Sequence, residues 1–229
     1  MITKLLSTAV KFYLRSQVSQ VAALRVKIAG KNRQFLKGYI PEVFLYCQRA
    51  VYQGLHLQEV EVSGTEIAFN LSEVLKKKPL RLVEPIVVKV KLGLDGNNLQ
   101  ASLNSALLQS GLSDLWQIIL AAGATTFLDS QLADASIEWH NIAIADRQLH
   151  LSGTYQVSTG KSQQLNLLTG ITLANHHTLC LFPLKIDCES GVVDDLPKKL
   201  EIDLGKDVAI EQLNIESEQI LCLGKITVS

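Results

Sequence analysis

The chain has 229 residues, 47% of them hydrophobic, and its 22 basic residues balance its 22 acidic ones. This hydrophobic fraction excludes a disordered chain, and the zero net charge argues against a general nucleic-acid binder, which carries a basic excess. The length allows one large domain or two small ones, and we predict a single domain over residues 1–229.

The charge is distributed unevenly along the chain. Residues 1–91 contain 15 basic and 6 acidic residues, whereas residues 92–229 contain 7 and 16. Eight basic residues precede the first acidic one, Glu42. This asymmetry suits a face that meets an anionic surface, although chance clustering on solvated strand edges explains it equally well.

The first segment, Ile2 to Val21, has apolar residues at helical spacing and predicts an amphipathic helix. Packing on a core explains the pattern, and so does a membrane-surface helix; the few charges of the polar face favour the core. Lys4 and Lys11 interrupt the segment, so we expect no secretion signal, and no apolar run is long enough to span a membrane. We therefore expect a cytoplasmic protein that can lie peripherally at a membrane.

From Ala23 the apolar period changes to two, which predicts strands. The predicted elements are strands over 24–28, 39–46 and 55–62, a turn at 30–32 with a return through Phe35, and a hairpin of strands 86–94 and 99–103 around Asp95-Gly96-Asn97-Asn98. Helical spacing returns between Leu103 and Asp134, in pieces broken at Gly111 and Gly123. Beyond Ser136 the pattern again predicts strands.

Three stretches, which begin at Leu55, Ile137 and Val208, share one spacing of apolar residues: intervals of two, three, two, five and two. The interval of three inserts an extra residue into an alternating strand, which is the sign of a β-bulge. The four polar residues of the interval of five predict a turn, after which the chain returns as a hairpin.

Three bent hairpins would build a long, strongly curved antiparallel sheet. We therefore predict an α+β fold in which this sheet wraps on the N-terminal helix and the central helical segment. If the helices fill the concave face incompletely, an apolar groove remains, and its predicted lining comes from the central segment: Leu112, Leu115, Trp116, Ile119 and Leu120.

The sequence contains no motif for a known active site, such as a phosphate-binding loop or a nucleophile elbow. His176, His177 and Cys180, with Cys188 further on, are candidate metal ligands, but adjacent histidines on a strand point to opposite faces. The four cysteines form no C-x-x-C pair and fit a reduced compartment. We expect no catalysis, no cofactor and no metal.

The sharpest charged cluster is Lys76, Lys77, Lys78 and Arg81, after a helix-like segment at Leu71–Leu75. Cations at the end of a helix are favoured by its dipole, which explains the cluster without a function. A contact with an anionic lipid head group explains it nearly as well.

Several stretches resemble the LmeA-like phospholipid-binding family, a bacterial family, and the likeness is greatest to its photosynthetic branch. They are GYIPEVFLYCQRAVYQGLHLQEVEVSG, NLSEVLKKKPLRLVEPIVVKVKLGL, LQASLNSALL and DLGKDVAIEQLNIESEQILCLGKITV. The resemblance implies phospholipid binding and, in some members, a role in assembling envelope glycolipids. It implies no particular binding residues, and the predicted sheet is also similar to tubular lipid-binding folds.

We therefore expect a non-enzymatic protein that holds the acyl chains of a phospholipid in an apolar groove. Lys76, Lys77, Lys78 and Arg81 would hold the phosphate. The alternative is a protein-interaction module that uses the same apolar surface or a sheet edge.

Overall fold

The computed structural model describes residues 18–76, 78–122, 137–156, 160–189, 191–192, 196–197, 199–216 and 218–229. Its strands are β1 (Val18–Ala29), β2 (Tyr39–Tyr52), β3 (Leu55–Ala68), β4 (Ile86–Asp95), β5 (Glu138–Ala145), β6 (Gln148–Gln156), β7 (Ser162–Asn175), β8 (Thr178–Cys188), β9 (Gly191–Val192), β10 (Leu200–Asp203), β11 (Val208–Ile215) and β12 (Gln219–Val228). Its helices are α1 (Asn32–Phe35), α2 (Leu71–Leu75), α3 (Gly96–Ser102) and α4 (Ala106–Ala121).

The strands form two antiparallel sheets. The first sheet has the order β1-β2-β3-β4-β12-β11, and the second has the order β10-β8-β7-β6-β5, with β9 paired to β8. The predicted α+β class, with mostly antiparallel strands and few helices, is confirmed. The strands are nevertheless divided between two sheets and do not form the one long sheet that we predicted.

The predicted N-terminal helix falls almost entirely outside the described residues. Its last four positions, Val18 to Val21, belong to β1, and Val18 pairs with Tyr52 of β2. At these positions the prediction of a helix is wrong, because pairing across the sheet outweighs the helical spacing of a few apolar residues.

Two helices replace predicted strands. The carboxylate of Asp95 accepts a hydrogen bond from the backbone N–H of Asn98 at 2.7 Å, which caps α3 where we predicted a hairpin turn. Helix α1 occupies the predicted return through Phe35. Helix α4 runs through Gly111 without a break, contrary to the prediction, and the rest of that segment lies outside the described residues.

Two of the three predicted bulges are confirmed. The pairing of β5 with β6 shifts between Trp139 and Asn141, and the pairing of β11 with β12 shifts between Ile210 and Gln212. The residue opposite each bulge is a glycine: Gly153 faces Trp139. Gly224 likewise faces Ile210, so backbone at both bulges approaches a position without a side chain.

The third predicted bulge and its hairpin, after Leu55, are wrong. β3 continues as one strand from Leu55 to Ala68 with an unchanged register against β2 and β4. Its polar residues around Ser63 lie inside the strand, since Ser63 pairs with Phe44 on one side and with Lys89 on the other.

Two buried clusters fill the interior of the described protein. The larger cluster combines α3 and α4 with the second sheet, and its fully buried members include Ile119, Leu165 and Ile186. The smaller cluster consists of Phe35, Ile40, Ile67 and Phe69 at one end of the first sheet.

Helix α3 joins the two sheets. The hydroxyl of Ser102 accepts a hydrogen bond from the backbone nitrogen of His56 on β3 at 2.7 Å. The side chain of Gln100 accepts from the nitrogen of Ile142 at 2.8 Å and donates to the carbonyl of His140 at 3.1 Å, both on β5. A short helix is therefore hydrogen-bonded to both sheets.

Candidate functional site

One face of the first sheet carries apolar residues on every strand. Residues that pair on neighbouring antiparallel strands project to the same face. The central row across this face consists of Val26, Leu45, Val62, Val90, Gly224 and Ile210. The rows on either side consist of Leu24, Cys47, Val60, Leu92, Cys222 and Leu213, and of Ile28, Val43, Gly64, Val88, Ile226 and Val208. We call these three rows the apolar face.

The opposite face of the same sheet carries most of its charged and polar residues. The ammonium group of Lys91 lies 3.3 Å from a carboxylate oxygen of Glu61 on the neighbouring strand, and the guanidinium of Arg25 lies 6.0 Å from the centre of the Tyr46 ring. Charged side chains of this kind are stable in water, so this face is the solvent face. Phe44, Val87, Leu221 and Leu223 also project to this side. The apolar residues of the sheet are therefore concentrated on the other face but are not confined to it.

The apolar face is only partly covered. Cys47 and Val88 are buried, but most of its side chains are half-buried, and Ile226 is exposed. In the described part of the chain, neither buried cluster includes a residue of the central row. Its valines and leucine therefore have room for further apolar contacts.

The cysteine thiols of this face lie in an apolar environment. Cys47 and Cys222 lie on this face, and burial raises the pKa of both thiols above the ordinary value. Desolvation acts in this direction because it penalises the charged thiolate. No carboxylate or cation is needed to explain either shift.

One end of the apolar face is closed by residues 30–38, 69–76 and 78–85, which we call the basic end. Ile28 and Val43 of the apolar face pack against the smaller buried cluster there. The side chain of Asn70 donates to the carbonyl of Pro79 at 3.1 Å and accepts from the nitrogen of Arg81 at 2.8 Å. These bonds hold the segment after α2 in place.

Three of the four predicted head-group residues lie on this end. Lys76, Lys78 and Arg81 are exposed, whereas Lys77 is outside the described residues. Two of them form ion pairs with the carboxylate of Glu73. Its oxygens lie 2.6 Å from Nζ of Lys78 and 3.9 Å from Nζ of Lys76. Arg81 has no ion pair within the described residues, and the assignment of all four to a head group stays a prediction.

The predicted groove residues lie in the larger buried cluster. Leu112, Trp116, Ile119 and Leu120 are buried between α4 and the second sheet, and Leu115 is partly buried against them. The structure thus brings all five together, at a place where the described side chains pack closely. Their role as a groove lining stays a prediction.

The apolar face reaches this cluster at its far end. Leu94, Ile215 and Ile220 continue the face by one row, and all three pack against the larger cluster. Beside them, a cleft of about 460 Å³ lies between the end of β11 and the second sheet, and Leu213 and Ile215 form part of its wall. The apolar face therefore runs from the basic end to the junction of the two sheets.

The two adjacent histidines have a structural role. They form the turn between β7 and β8, and their Nδ1 atoms lie 2.9 Å and 2.7 Å from the backbone oxygens of Ile210 and Val208. Because His176 and His177 lie in a turn, both rings reach the same strand, unlike adjacent residues of a strand. In the described part of the chain, no three metal-ligating side chains come together.

Sequence reasoning missed the apolar face as a site. Alternation in β1 to β4 predicts that each strand has an apolar side, but alternation alone does not show which apolar side stays uncovered. None of the described helices is both long and apolar enough to cross a membrane.

A family model described as LmeA-like phospholipid-binding matches residues 1–225 of the chain. No curated protein and no solved structure matches the chain.

Proposed function

Because the chain belongs to the LmeA-like phospholipid-binding family, we propose that it binds a phospholipid and carries out no reaction on it. The acyl chains lie along the apolar face, and the phosphate lies at the basic end. The observation that carries this proposal is the half-buried central row of the face, which neither buried cluster includes in the described protein.

The apolar face suits a hydrocarbon chain energetically. Each methylene that leaves water for an apolar contact contributes about 0.8 kcal/mol, so a few tail carbons give appreciable binding. Branched side chains of β1 to β4 provide such contacts without polar atoms. The face needs no hydrogen-bonding partner from a ligand, and an alkyl tail offers none.

The far end of the face gives the predicted groove residues a place in this proposal. Leu94, Ile215 and Ile220 pack against the cluster that contains Leu112, Leu115, Trp116, Ile119 and Leu120. A tail that lies along the sheet would end against this cluster. We propose that α4 closes the far end of the lipid site and that Leu115, its partly buried member, contacts the tail.

The basic end suits a phosphate. The guanidinium of Arg81 presents a planar fork of N–H donors that matches phosphate oxygens, and it has no described ion pair to give up. Lys76 and Lys78 share one carboxylate, so the local charge stays positive, and Lys77 adds a further charge by its sequence position. This end of the sheet would also face a membrane that supplies the lipid.

The causes of the pKa shifts among the described groups support a binding role without catalysis. Burial alone explains those of Cys47 and Cys222, and surface ion pairs explain those of Lys199 and Glu211. None of these groups forms a nucleophile–base pair of the kind that acyl or phosphoryl transfer uses.

The test is lipid capture by the purified chain. We expect native mass spectrometry to detect bound phospholipid, or uptake from mixed vesicles after delipidation. Val62→Gln places a polar group in the central row and should reduce uptake several-fold, whereas Ser63→Gln, on the opposite face of the same strand, should not.

Two results would contradict the proposal. A chain that neither retains nor takes up lipid, and runs as a bare monomer or a tight dimer, would favour the protein-interaction role. Equal uptake by the Val62→Gln and Ser63→Gln variants, both shown to fold by circular dichroism, would remove the apolar face as the site.

A further inference from the structure

Three large apolar side chains are exposed at the basic end. Leu36 is 57% exposed, Leu75 is 72% exposed and Val83 is 68% exposed. Single exposed apolar residues are ordinary, but these three lie on three neighbouring segments, residues 30–38, 69–76 and 78–85, that close one end of the apolar face. We call them the apolar tip.

The three segments form one packed unit. The backbone nitrogen of Phe69 donates to the carbonyl of Gly38 at 2.8 Å, which joins the chain after α1 to the chain before α2. The nitrogen of Val83 donates to the carbonyl of Ala68 at 3.0 Å, which joins the third segment to the end of β3. The smaller buried cluster lies beneath all three, so the apolar tip is mounted on a fixed base.

Basic residues surround the apolar tip. Residues 31–37 and 71–84 together contain seven Lys or Arg and two Glu. Lys31, Arg33 and Lys37, which we call the basic flank, are exposed and form no ion pair with a described carboxylate. Of the two acids, Glu73 is already paired with Lys78.

We propose that the basic end docks on an anionic lipid bilayer, with the apolar tip inserted among the lipids and the basic flank on the phosphates. Leucine and valine side chains gain free energy when they leave water for the acyl region, and long basic side chains keep their charges at the head groups. Cations near an anionic membrane surface add to the binding. An acidic protein partner would complement the charges but would leave the tip's apolar side chains without such an environment.

This inference rests on the proposed function, because docking on a bilayer would give the lipid site access to its ligand. Docking at the basic end brings the bilayer next to Ile28 and Val43, where the apolar face begins. A lipid that leaves the bilayer could then enter the site with its tail on the sheet.

The test is flotation of the full chain with vesicles of phosphatidylcholine, with and without phosphatidylglycerol. The Leu36→Ser/Leu75→Ser/Val83→Ser variant should lose about tenfold or more of its binding to the anionic vesicles. The matched control is Leu107→Ser, which alters an apolar residue on α4 that is 45% exposed. It should bind like the unchanged chain.

The charge contribution is tested separately. Lys31→Gln/Arg33→Gln/Lys37→Gln should weaken binding to anionic vesicles and reduce its dependence on salt, whereas Lys161→Gln/Lys185→Gln/Lys206→Gln should not. In the Leu75→Trp variant, lipids with brominated tails should quench a larger share of the fluorescence than in the unchanged chain, whose two tryptophans, Trp116 and Trp139, are buried. Quenching needs no loss of binding and so does not depend on the stability of the serine variant.

The inference is overturned if the serine variant of the apolar tip floats as well as the unchanged chain. It is also overturned if the Leu107→Ser control loses binding equally, or if brominated lipids quench the Leu75→Trp variant no more than the unchanged chain. A different result would contradict the proposed function. If flotation requires the apolar tip but the purified chain captures no phospholipid, the protein docks on membranes without binding a lipid.

Discussion

The side-chain oxygen of Gln100 lies 2.8 Å from the backbone nitrogen of Ile142 and accepts its hydrogen at the bulge of β5. The same side chain donates to the carbonyl of His140, the extra residue of that bulge. A bulge leaves backbone groups without partners in the ladder. Gln100 supplies partners for two of them from α3.

Gln100→Ala should therefore destabilise the protein by about 1 kcal/mol, because two hydrogen bonds are replaced by water at a partly exposed site. Denaturant unfolding measures the change, and amide hydrogen exchange should show faster exchange at Ile142. Asn97→Ala, an exposed change on the same helix, should shift stability by less than about 0.5 kcal/mol. An unchanged exchange rate at Ile142 would contradict the role of Gln100.

The glycines opposite the two bulges should not tolerate a side chain. A Cβ at Gly153 would lie 2.6 Å from the carbonyl oxygen of Glu138, and one at Gly224 would lie 2.6 Å from that of Ala209. Gly153→Ala and Gly224→Ala should each cost about 1–3 kcal/mol, measured by thermal or denaturant unfolding. A Cβ at Gly111 of α4 would meet no atom within 4 Å outside the backbone of its own helix, so Gly111→Ala should stabilise the helix by about 0.5–1 kcal/mol. Destabilisation by all three alanines alike would count against the contacts at the bulges.

The thiol of Cys222 should react slowly and with a distinctive pH dependence. Burial raises its pKa in the folded state, so its thiolate fraction at neutral pH is below that of an ordinary cysteine. Alkylation followed by peptide mass spectrometry should show a rate that still rises at pH values where the urea-unfolded chain has levelled off. Above the ordinary thiol pKa the unfolded chain binds fewer protons at this group than the folded one, so stability should fall as the pH rises.

Bound phospholipid should slow the alkylation of Cys222 further. This cysteine lies on the apolar face, between Leu92 and Leu213, whereas Cys188 lies on the second sheet. We expect a several-fold decrease at Cys222 on loading with lipid and no change at Cys188. Equal rates with and without lipid would place the ligand elsewhere.

Neutralising the head-group cluster should remove the preference for anionic lipid. Each basic residue near such a surface contributes about 1 kcal/mol, so Lys76→Gln/Lys77→Gln/Lys78→Gln should weaken binding to anionic vesicles by about tenfold or more. Binding to neutral vesicles should change little. The Lys161→Gln/Lys185→Gln/Lys206→Gln variant again serves as the control of equal charge. Unchanged binding to anionic vesicles would remove the three lysines from the site.

Local patterns predicted much of the fold. The spacing around Trp139 and around Ile210 predicted two bulges, and both exist because strands that are half-buried must keep one parity towards the core. The same spacing failed at Ser63. There, strands on both sides of β3 hydrogen-bond its backbone, and this pairing outweighs the turn preference of four polar residues.

The candidate site was less predictable. The charge cluster around Lys78 was visible in the sequence because it is contiguous. The apolar face was not, because it assembles residues as distant as Val26 and Ile210, and the strand order that brings them together is a property of the whole chain. The apolar residues of α4, such as Ile119, have helical spacing whether they line a groove or fill a core.

The position of β12 sets an order on folding during synthesis. β12 lies between β4 and β11 in the first sheet but follows both of them in the chain. The edge of β4 therefore remains without its partner until residues 219–228 have left the ribosome, while the strands of the second sheet, which are made in between, can already pair among themselves. A nascent chain halted before Gln219 would expose the unpaired edge of β4 beside the apolar face. Such a combination of a free strand edge and apolar surface promotes aggregation and is bound by chaperones.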